Sequence, residues 1–463
     1  MSLRRWLLIL STLIVLQGCT ILDTISPDSS SDDEPEVDIG VRPMIPSDSE
    51  RDPWVPCPSI DVPTITHFDV LQAPSIPEPD PGIAYVDPVF GTCVVRVTDR
   101  DTDVDPDDPS PGLTNEYSRV QSFNADGSRI MVRGIEGTWY LYDAASLTPL
   151  GQLPLEVEPR WDDDDPDLVY FFDETSLMSY NTRTGNRSLL HDFAADFPDL
   201  SLAAVWTRFE GSPSIDRRTW GLMAQDQDWE VVAFLVYDLE QDQVLATRRL
   251  PSGAEVDSST ISPSGSYMLG FFDNACSSTH AGDEQDPCGL MVYDRDLEHG
   301  RSLVRIIGHS DLALDASGRE VLVYQEIDND TISMVDLESG EVTALWPIDF
   351  SHRAIGLHFS GQAFDAPGWI LVSTHIDDDR IYTWMDNQAF AVELKRDGRV
   401  VRLAHTHSVV DESRREYYWA EPHATVNQDF TRVLFTSNWG RVGTAEVEMF
   451  MIELPAGWMD RIP

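Results

Sequence analysis

The chain has 463 residues, of which 41% are hydrophobic and 24% are charged, so its length allows one large domain or two or three ordinary ones with well-buried cores. Asp and Glu number 80 against 32 Lys and Arg, which gives a formal net charge of -48. Charge of this sign repels nucleic acid phosphates and anionic lipid headgroups, so the composition argues against nucleic acid as a partner.

The first nineteen residues have the pattern of an export signal. Arg4 and Arg5 precede an apolar run, residues 6–16, that is too short to span a bilayer. The letters "LQGC" that end at Cys19 resemble a bacterial lipobox. That resemblance implies cleavage before Cys19, a lipid anchor on this cysteine, and a place in the bacterial cell envelope. Thr20 replaces the aspartate that retains such proteins at the inner membrane, so the outer membrane is expected, on its periplasmic or surface face. An ordinary signal peptide with a chance cysteine is the alternative.

Residues 1–18 are thus predicted to be the signal peptide and residues 19–81 a disordered acidic tether. The tether is rich in Asp, Glu, Ser and Pro, as in "PDSSSDDEPEVD" and "SIPEPDPG", and has few residues that could bury a core. Charge repulsion and proline would keep it extended, which holds the rest of the chain away from the membrane.

Four cysteines remain after Cys19, and an even number in an exported chain favours disulfides. Cys276 and Cys288 bracket a polar insertion between two strand patterns, so a local bridge between them is predicted. Cys57 with Cys93 follows by elimination. A zinc site is less favoured because no Cys-x-x-Cys spacing occurs.

After residue 81 the chain repeats one pattern. The stretches "QSFNADGSRIMVRG", "STISPSGSYMLGFF" and "LALDASGREVLVYQ" each contain a polar turn with glycine and then three apolar residues, which is typical of a β-hairpin. The last copy has Phe430 at the glycine position. A third strand and a short fourth strand follow each hairpin. Seven such units predict an all-β fold over residues 82–463, a seven-bladed β-propeller of four-stranded antiparallel blades.

The ring is predicted to close through a strand from the N-terminal side. The last unit lacks a fourth strand of its own, while "TCVVRVTD" is a lone strand pattern ahead of the first unit. Pairing of this strand with the last blade would remove the free edge of an open ring.

The repeated "DGSRIMV" and "SGREVLVY" segments resemble the WD40-like repeats of the TolB propeller family. The arrangement is also similar to that of oligogalacturonate lyases, which are propeller enzymes that cleave acidic sugar oligomers by β-elimination with a divalent metal held by histidines. The resemblance covers about residues 115–455 and implies a propeller fold, because the repeat marks a blade and not an activity. No metal ligand of the lyases is matched residue by residue.

The innermost strand of each blade lines the channel, and the residues before it lie near the mouth where ligands bind. By repeat alignment, Glu421 and His423 take the same positions as His309 and Asp311, and blade 6 between them supplies His358. Residues two apart share a strand face, so these side chains are expected to converge. The predicted catalytic candidates are His309, His358, His423 and Glu421.

The letters "HTH" add two histidines where blade 6 meets blade 7, with both imidazoles on one face of an extended segment. Histidines and carboxylates that meet in a channel are suited to a divalent cation such as Mn, Zn or Ca, which lowers the pKa of bound water. The predicted metal ligands are His309, Asp311, His405, His407 and His423. The alternative is that these side chains cap strands and turns.

Aromatic and basic residues precede Glu421 in "RREYYWAEPH". Tyr417, Tyr418 and Trp419 are candidates for stacking on sugar rings, with Arg414 beside them. The alternative is that the rings pack between blades.

Two functions remain open. The first is an exported, lipid-anchored scaffold that binds an envelope protein or an acidic glycan, and the second is a metal-dependent polysaccharide lyase. No nucleophile elbow, P-loop or dinucleotide fingerprint occurs, and this absence of a sharp catalytic motif favours the scaffold. Convergence of the histidines on one place would favour the enzyme.

Overall fold

The computed structural model describes residues 54, 56–277, 282–377, 380–411, 413 and 415–462, with only the backbone for residues 415–417. Cys19, the predicted signal peptide, the predicted tether before residue 54 and Arg414 lie outside the described residues. In the part of the chain that is described, no helix is long and apolar enough to cross a membrane.

The described residues form a seven-bladed β-propeller, which confirms the fold predicted from the repeats. Two strands precede the first blade, β1 (Ala84–Val86) and β2 (Cys93–Arg96). Blades 1 to 3 each contain four consecutive strands: β3 (Leu113–Thr114), β4 (Arg129–Gly134), β5 (Trp139–Asp143), β6 (Pro149–Leu153), β7 (Val157–Trp161), β8 (Leu168–Asp173), β9 (Ser176–Asn181), β10 (Arg187–Asp192), β11 (Leu202–Trp206), β12 (Thr219–Asp226), β13 (Val231–Asp238) and β14 (Gln243–Arg249).

Blades 4 to 6 follow the same plan: β15 (Val256–Ile261), β16 (Tyr267–Phe272), β17 (Leu290–Asp294), β18 (Gly300–Val304), β19 (Ser310–Leu314), β20 (Glu320–Glu326), β21 (Thr331–Asp336), β22 (Val342–Pro347), β23 (Gly356–Ser360), β24 (Trp369–His375), β25 (Gln388–Glu393) and β26 (Val400–His405). Blade 7 contains β27 (Thr425–Val426), β28 (Arg432–Ser437) and β29 (Glu448–Glu453). The described helices are short: α1 (Arg100–Asp103), α2 (Phe193–Asp196) and the 3-10 helices Arg415–Ala420 and Trp458–Arg461.

The N-terminal strand closes the ring as predicted. β2 pairs antiparallel with β29, with Cys93 opposite Glu453 and Arg96 opposite Phe450, and β1 then pairs with β2. Blade 7 therefore has five strands, one more than the repeat predicted. This pairing joins the two ends of the propeller by backbone hydrogen bonds and leaves no open blade between them.

The glycine of the repeated turn is explained by its backbone conformation. Gly127, Gly265 and Gly318 have φ values of 67°, 74° and 82°, in the left-handed region that favours glycine. Phe430, at the same place in blade 7, also has a positive φ of 55° and is fully buried. Packing therefore holds this phenylalanine in a conformation that its side chain disfavours.

The hydrophobic core lies between neighbouring blades. Ile332 and Met334 of blade 5, for example, pack in one buried cluster with Ile370 and Phe390 of blade 6. Full burial of one such side chain contributes about 1.5–3 kcal/mol. Since each blade covers its neighbour's face, the channel-lining strand ends are held in fixed positions.

Residues 56–80, which we call the outer segment, have no helix or strand but contact the propeller. The backbone N–H of Arg402, on the outermost strand of blade 6, donates to Ile65 O at 3.0 Å. Phe68 packs against Trp346 and Trp384, each at 4.8 Å between ring centroids. The last part of the predicted tether is therefore attached to blades 5 and 6 and is not a free linker.

Both predicted disulfides are present. Cys57 of the outer segment is bonded to Cys93 of β2, with 5.8 Å between their Cα atoms. Cys276 is bonded to Cys288, with a Cα separation of 5.0 Å. The first bridge fixes the outer segment to the closing blade, and the second closes the insertion of blade 4.

Candidate metal centre in the central channel

Two neighbouring strands of blade 6 each contribute a histidine to the site. His358 lies on β23, the innermost strand of blade 6, and His375 ends the neighbouring β24. Gly356 stands directly opposite His375 in this pair, and a Cβ at Gly356 would overlap the imidazole. The absence of a side chain at Gly356 therefore makes the room for the His375 ring.

Glu421 and His423 lie between the 3-10 helix Arg415–Ala420 and β27, the innermost strand of blade 7. The backbone of His423 has a φ of 40°, a left-handed conformation that costs on the order of 1 kcal/mol or more for a non-glycine residue. The side-chain amide of Asn115 in blade 1 donates to His423 O at 2.8 Å. Contacts from blade 1 thus hold the loop of blade 7 in this conformation.

Glu421 is the centre of the cluster. Its Oε2 lies 2.7 Å from His358 Nε2 and 3.6 Å from His423 Nε2, while Oε1 lies 3.8 Å from His375 Nε2. All four side chains are buried, with residue exposures between 1% and 6%. One carboxylate is therefore surrounded by imidazoles from two blades and shielded from water.

The electrostatics keep this carboxylate charged. Burial by itself raises the pKa of Glu421, but the neighbouring His375, His358 and His423 hold that pKa well below its usual range. Burial lowers the pKa of His358 well below its usual range and also lowers the pKa of His375. A buried, ionised carboxylate beside the imidazoles of His358 and His375 is an arrangement that a cation stabilises.

The residues present fit a divalent metal ion. One ligand atom from each of His358, His375 and Glu421 can be chosen so that all three lie within 4.8 Å of one another. The Nδ1 atoms of His358 and His375 and the Nε2 of His423 are buried without a hydrogen-bond partner among the described residues. Imidazole and carboxylate donors suit Mn, Fe and Zn.

More accessible rings surround the cluster. His309, at the start of blade 5, has its ring centroid 4.5 Å from that of His358 and is partly exposed. Burial lowers the pKa of His309 to about 4. Tyr418 is partly exposed and lies 4.6 Å from His423, while the buried Tyr117 lies 5.3 Å from His423 and 5.5 Å from His358.

Asp311 does not join this cluster, contrary to the predicted metal set. Its Oδ2 accepts from the backbone N–H of Gly361 at 2.7 Å and from the Gln362 amide at 3.3 Å. Burial raises the pKa of Asp311 to about 6. The carboxylate is two residues deeper along the strand than His309, so it points to neighbouring backbone and into an adjoining cavity.

That cavity is lined by residues of blades 1 and 3 to 6, including Asp311. Arg119 Nη1 pairs with Glu210 Oε2 at 2.9 Å, and both line the cavity. Burial raises the pKa of Glu210 to about 7 against the opposing effect of Arg119. The channel therefore has an imidazole half and a carboxylate half.

His405 and His407, which were predicted as metal ligands, also lie away from this cluster. His405 ends β26, the outermost strand of blade 6, and its Nε2 lies 3.0 Å from Leu71 O of the outer segment. The His407 ring stacks on Trp439 at 4.3 Å. The two imidazoles of "HTH" lie near each other, with 6.3 Å between their ring centroids. They lie at the outer strand of the blade and not at the channel.

Of the aromatic residues predicted to bind sugar, one lies at the cluster and another lies away from it. Tyr418 reaches the cluster, whereas Trp419 packs 5.1 Å from Tyr418 and beside Arg133. The side chain of Tyr417, like Arg414, lies outside the described residues. His375 and Tyr117 were not predicted as site residues. His375 was missed because it ends a second strand, and the only signal in the sequence was Gly356 at the paired position.

No protein-family model and no curated protein matches the sequence. Among solved structures, an oligogalacturonate lyase in complex with manganese is similar, with a TM-score of 0.56 over 81% of this chain and 96% of the lyase at 15% identity. An oligogalacturonate lyase from Vibrio parahaemolyticus gives a TM-score of 0.54 over 81% and 97% at 13% identity. At this identity the likeness shows a shared fold, and at that level it confirms the resemblance predicted from the repeats.

Proposed function

We propose that this protein is a divalent-metal-dependent lyase that acts on acidic sugar oligomers. The observation that carries the proposal is the convergence of His358, His375 and Glu421 in the channel, with ligand atoms within 4.8 Å of one another. The manganese complex of a lyase with the same fold supports manganese as the ion to test first. The sequence favoured a scaffold, and this convergence moves the balance to the enzyme.

His358, His375 and Glu421 would hold the ion, which would neutralise the carboxylate of a uronate and make the adjacent C–H more acidic. β-Elimination then needs a base for that proton and a donor for the leaving oxygen. His309 is partly exposed beside the cluster, so its imidazole is available to accept the proton from carbon. Burial raises the pKa of Tyr418, so its hydroxyl is protonated before the reaction. This hydroxyl would donate its proton to the leaving oxygen as the C–O bond breaks.

The test measures metal content and product together. We expect the purified protein to bind Mn²⁺ stoichiometrically and to convert oligogalacturonate into an unsaturated uronate, detected by its ultraviolet absorbance. Glu421→Gln should lower the metal affinity and the rate by about 100-fold or more, and His405→Gln should change neither. Metal-bound protein that is inactive on every acidic oligomer would contradict the substrate class, and protein that binds no metal would contradict the centre itself.

A binding scaffold is the second candidate, and the carboxylate half of the channel favours it. Glu210, Asp257 and Asp311 surround Arg119, with the Arg119–Glu210 pair at 2.9 Å. This half of the channel would repel an anionic ligand and accept a neutral or cationic group of a partner. If no metal binds, this half of the channel becomes the place to search for a partner.

We also propose that the chain is exported and lipid-anchored through Cys19 in the bacterial envelope. The two disulfides support this, because such bonds persist in oxidising compartments. Metabolic labelling with a palmitate analogue tests it: Cys19→Ser should lose the label and leave the membrane fraction. Label that persists in Cys19→Ser would contradict the anchor.

A further inference from the structure

Arg133 carries a charge that the protein does not pair. It lies on β4 of blade 1 and is partly exposed. Its buried Nε has no hydrogen-bond partner, and no ion pair reaches its guanidinium among the described residues. Arg160 and Arg119 in the same part of the propeller are paired, with Glu116 at 2.7 Å and Glu210 at 2.9 Å. The guanidinium of Arg133 is therefore free to bind an anion.

Three aromatic rings surround this guanidinium. Its Cζ lies 5.1 Å from the ring of Trp419, 5.8 Å from Phe209 and 6.0 Å from Trp139. The rings come from the 3-10 helix before blade 7, the segment that follows β11 in blade 3, and β5. Since they come from three separate parts of the chain, the guanidinium is held in place by the fold, and its donors are preorganised.

The position connects Arg133 to the metal centre. Trp419 packs at 5.1 Å on Tyr418, and Tyr418 lies 4.6 Å from His423. A direct strand contact leads the same way, because Arg133 pairs with Thr114, and the next residue, Asn115, bonds to the His423 backbone. Arg133 is thus separated from the cluster by two aromatic rings.

We propose that Arg133, with the partly exposed Trp419 and Phe209, forms a subsite for the carboxylate of an acidic sugar residue, next to the residue held at the metal centre. This inference rests on the proposed function and extends it to a specificity residue. A guanidinium offers two parallel N–H donors that match a carboxylate, and the aromatic rings offer surfaces on which a sugar ring stacks.

Because the whole chain carries a large negative charge, an anionic substrate needs a local cation at its binding site. With a net charge of -48, the protein repels an anionic oligomer at long range. The carboxylates that affect the pKa of Arg133 are Glu116, which is already paired with Arg160, and Glu136, with a smaller effect. A local unpaired cation offsets this repulsion at the place where the second carboxylate of the substrate would lie.

The test is calorimetric binding of trigalacturonate and its methyl ester to the intact protein in EDTA, where no cleavage occurs. We expect Arg133→Gln to weaken binding of the acid by about tenfold or more and to leave the weaker binding of the ester unchanged. Arg133→Lys, which keeps the charge without the paired donors, should fall between them. The matched control is Arg399→Gln, since Arg399 also stacks on a ring, Trp369 at 5.2 Å, but is paired with Glu393.

Three outcomes overturn the subsite: equal loss for acid and ester, no loss for either, or no binding of the acid to the wild-type protein. Equal loss would assign Arg133 a packing role, which a matching loss of thermal stability would identify. Mn²⁺ binding is measured on the same variants and should be unchanged in Arg133→Gln. Acid binding that depends on Arg133 in a protein that binds no Mn²⁺ would leave the subsite standing while the metal-dependent function fails.

Discussion

The channel histidines His358 and His375 and the outer histidine His405 of blade 6, with its neighbour His407, lie in different surroundings. His358 and His375 share the carboxylate of Glu421. His405 contacts a backbone carbonyl of the outer segment and the ring of Phe90 at 4.7 Å, and His407 stacks on Trp439. Each group includes ring nitrogens without a hydrogen-bond partner among the described residues, so burial and unpaired nitrogens alone do not distinguish a metal centre.

The carboxylate makes the difference. A buried negative charge is costly unless a cation or several donors compensate it, so the proposed metal centre rests on the buried carboxylate of Glu421. Around His405 the groups that affect its pKa are Leu71 O, His407 and Arg402, none of them anionic. Those histidines stabilise the outer segment, whereas the histidines of the channel are arranged for a ligand.

The largest expected effect is on stability in the presence of metal. At a Mn²⁺ concentration 100 times its dissociation constant, the free energy of unfolding should rise by about 2.7 kcal/mol, because the ion binds only the folded protein. Glu421→Gln should abolish this increase. The measurement is denaturant unfolding with and without Mn²⁺.

The paired control is the double variant His405→Gln, His407→Gln, which should keep the full increase with Mn²⁺. If this variant lost the increase and Glu421→Gln kept it, the assignment of the two histidine groups would be reversed. An equal loss in both variants would mean that the ion acts on the fold as a whole.

Much of the fold was predictable from the sequence because it depends on local patterns. The turn with glycine at 127, 265 and 318 requires a positive φ, and the apolar strands after it follow from alternation. The closing strand was predictable because the last unit lacked a partner. The second added strand, β1, and the attachment of the outer segment were not, since hydrogen bonds such as that from Arg402 to Ile65 join residues far apart in sequence.

The site was predictable only where the repeat fixed a position. His358 lies on the innermost strand of blade 6 and His423 lies two residues before that of blade 7, so the repeat placed both near the channel. His375 could not be found in this way, because which side chain of a second strand turns toward the channel depends on the space left by Gly356. The structure does not bring His405 and His407 to this cluster, because alternation gives a shared face and does not say which side of the blade the strand occupies.

A smaller effect is expected from pH at the outer strand. Burial lowers the pKa of His405 to about 3, while the unfolded value is about 6.5. Below pH 6.5 the unfolded chain binds a proton that the folded protein does not, so the free energy of unfolding falls as the pH falls. Between pH 7 and 5, we expect His405→Gln to lose on the order of 1–2 kcal/mol less than the wild-type protein.

Unfolding by denaturant at a series of pH values measures this difference. Above pH 7, His405 is largely unprotonated in both the folded and the unfolded state. The free energies of unfolding of the wild-type protein and the variant should then change in parallel, which is the internal control. Parallel curves down to pH 5 would show that His405 is not neutral and buried in solution. The comparison of the channel histidines with His405 would then no longer hold.

The smallest effect is expected from Gly356→Ala, which tests how the channel histidines are held. The added methyl group overlaps the His375 imidazole, so the ring must move away from Glu421, and we expect the Mn²⁺ affinity to fall by about tenfold. The same change in a His375→Ala background should cause no further loss, because the ring that it displaces is gone. Independent losses from the two substitutions, measured by metal titration, would mean that His375 does not bind the ion. Coupled losses would identify Gly356 as the residue whose missing side chain lets a second-strand histidine reach the centre.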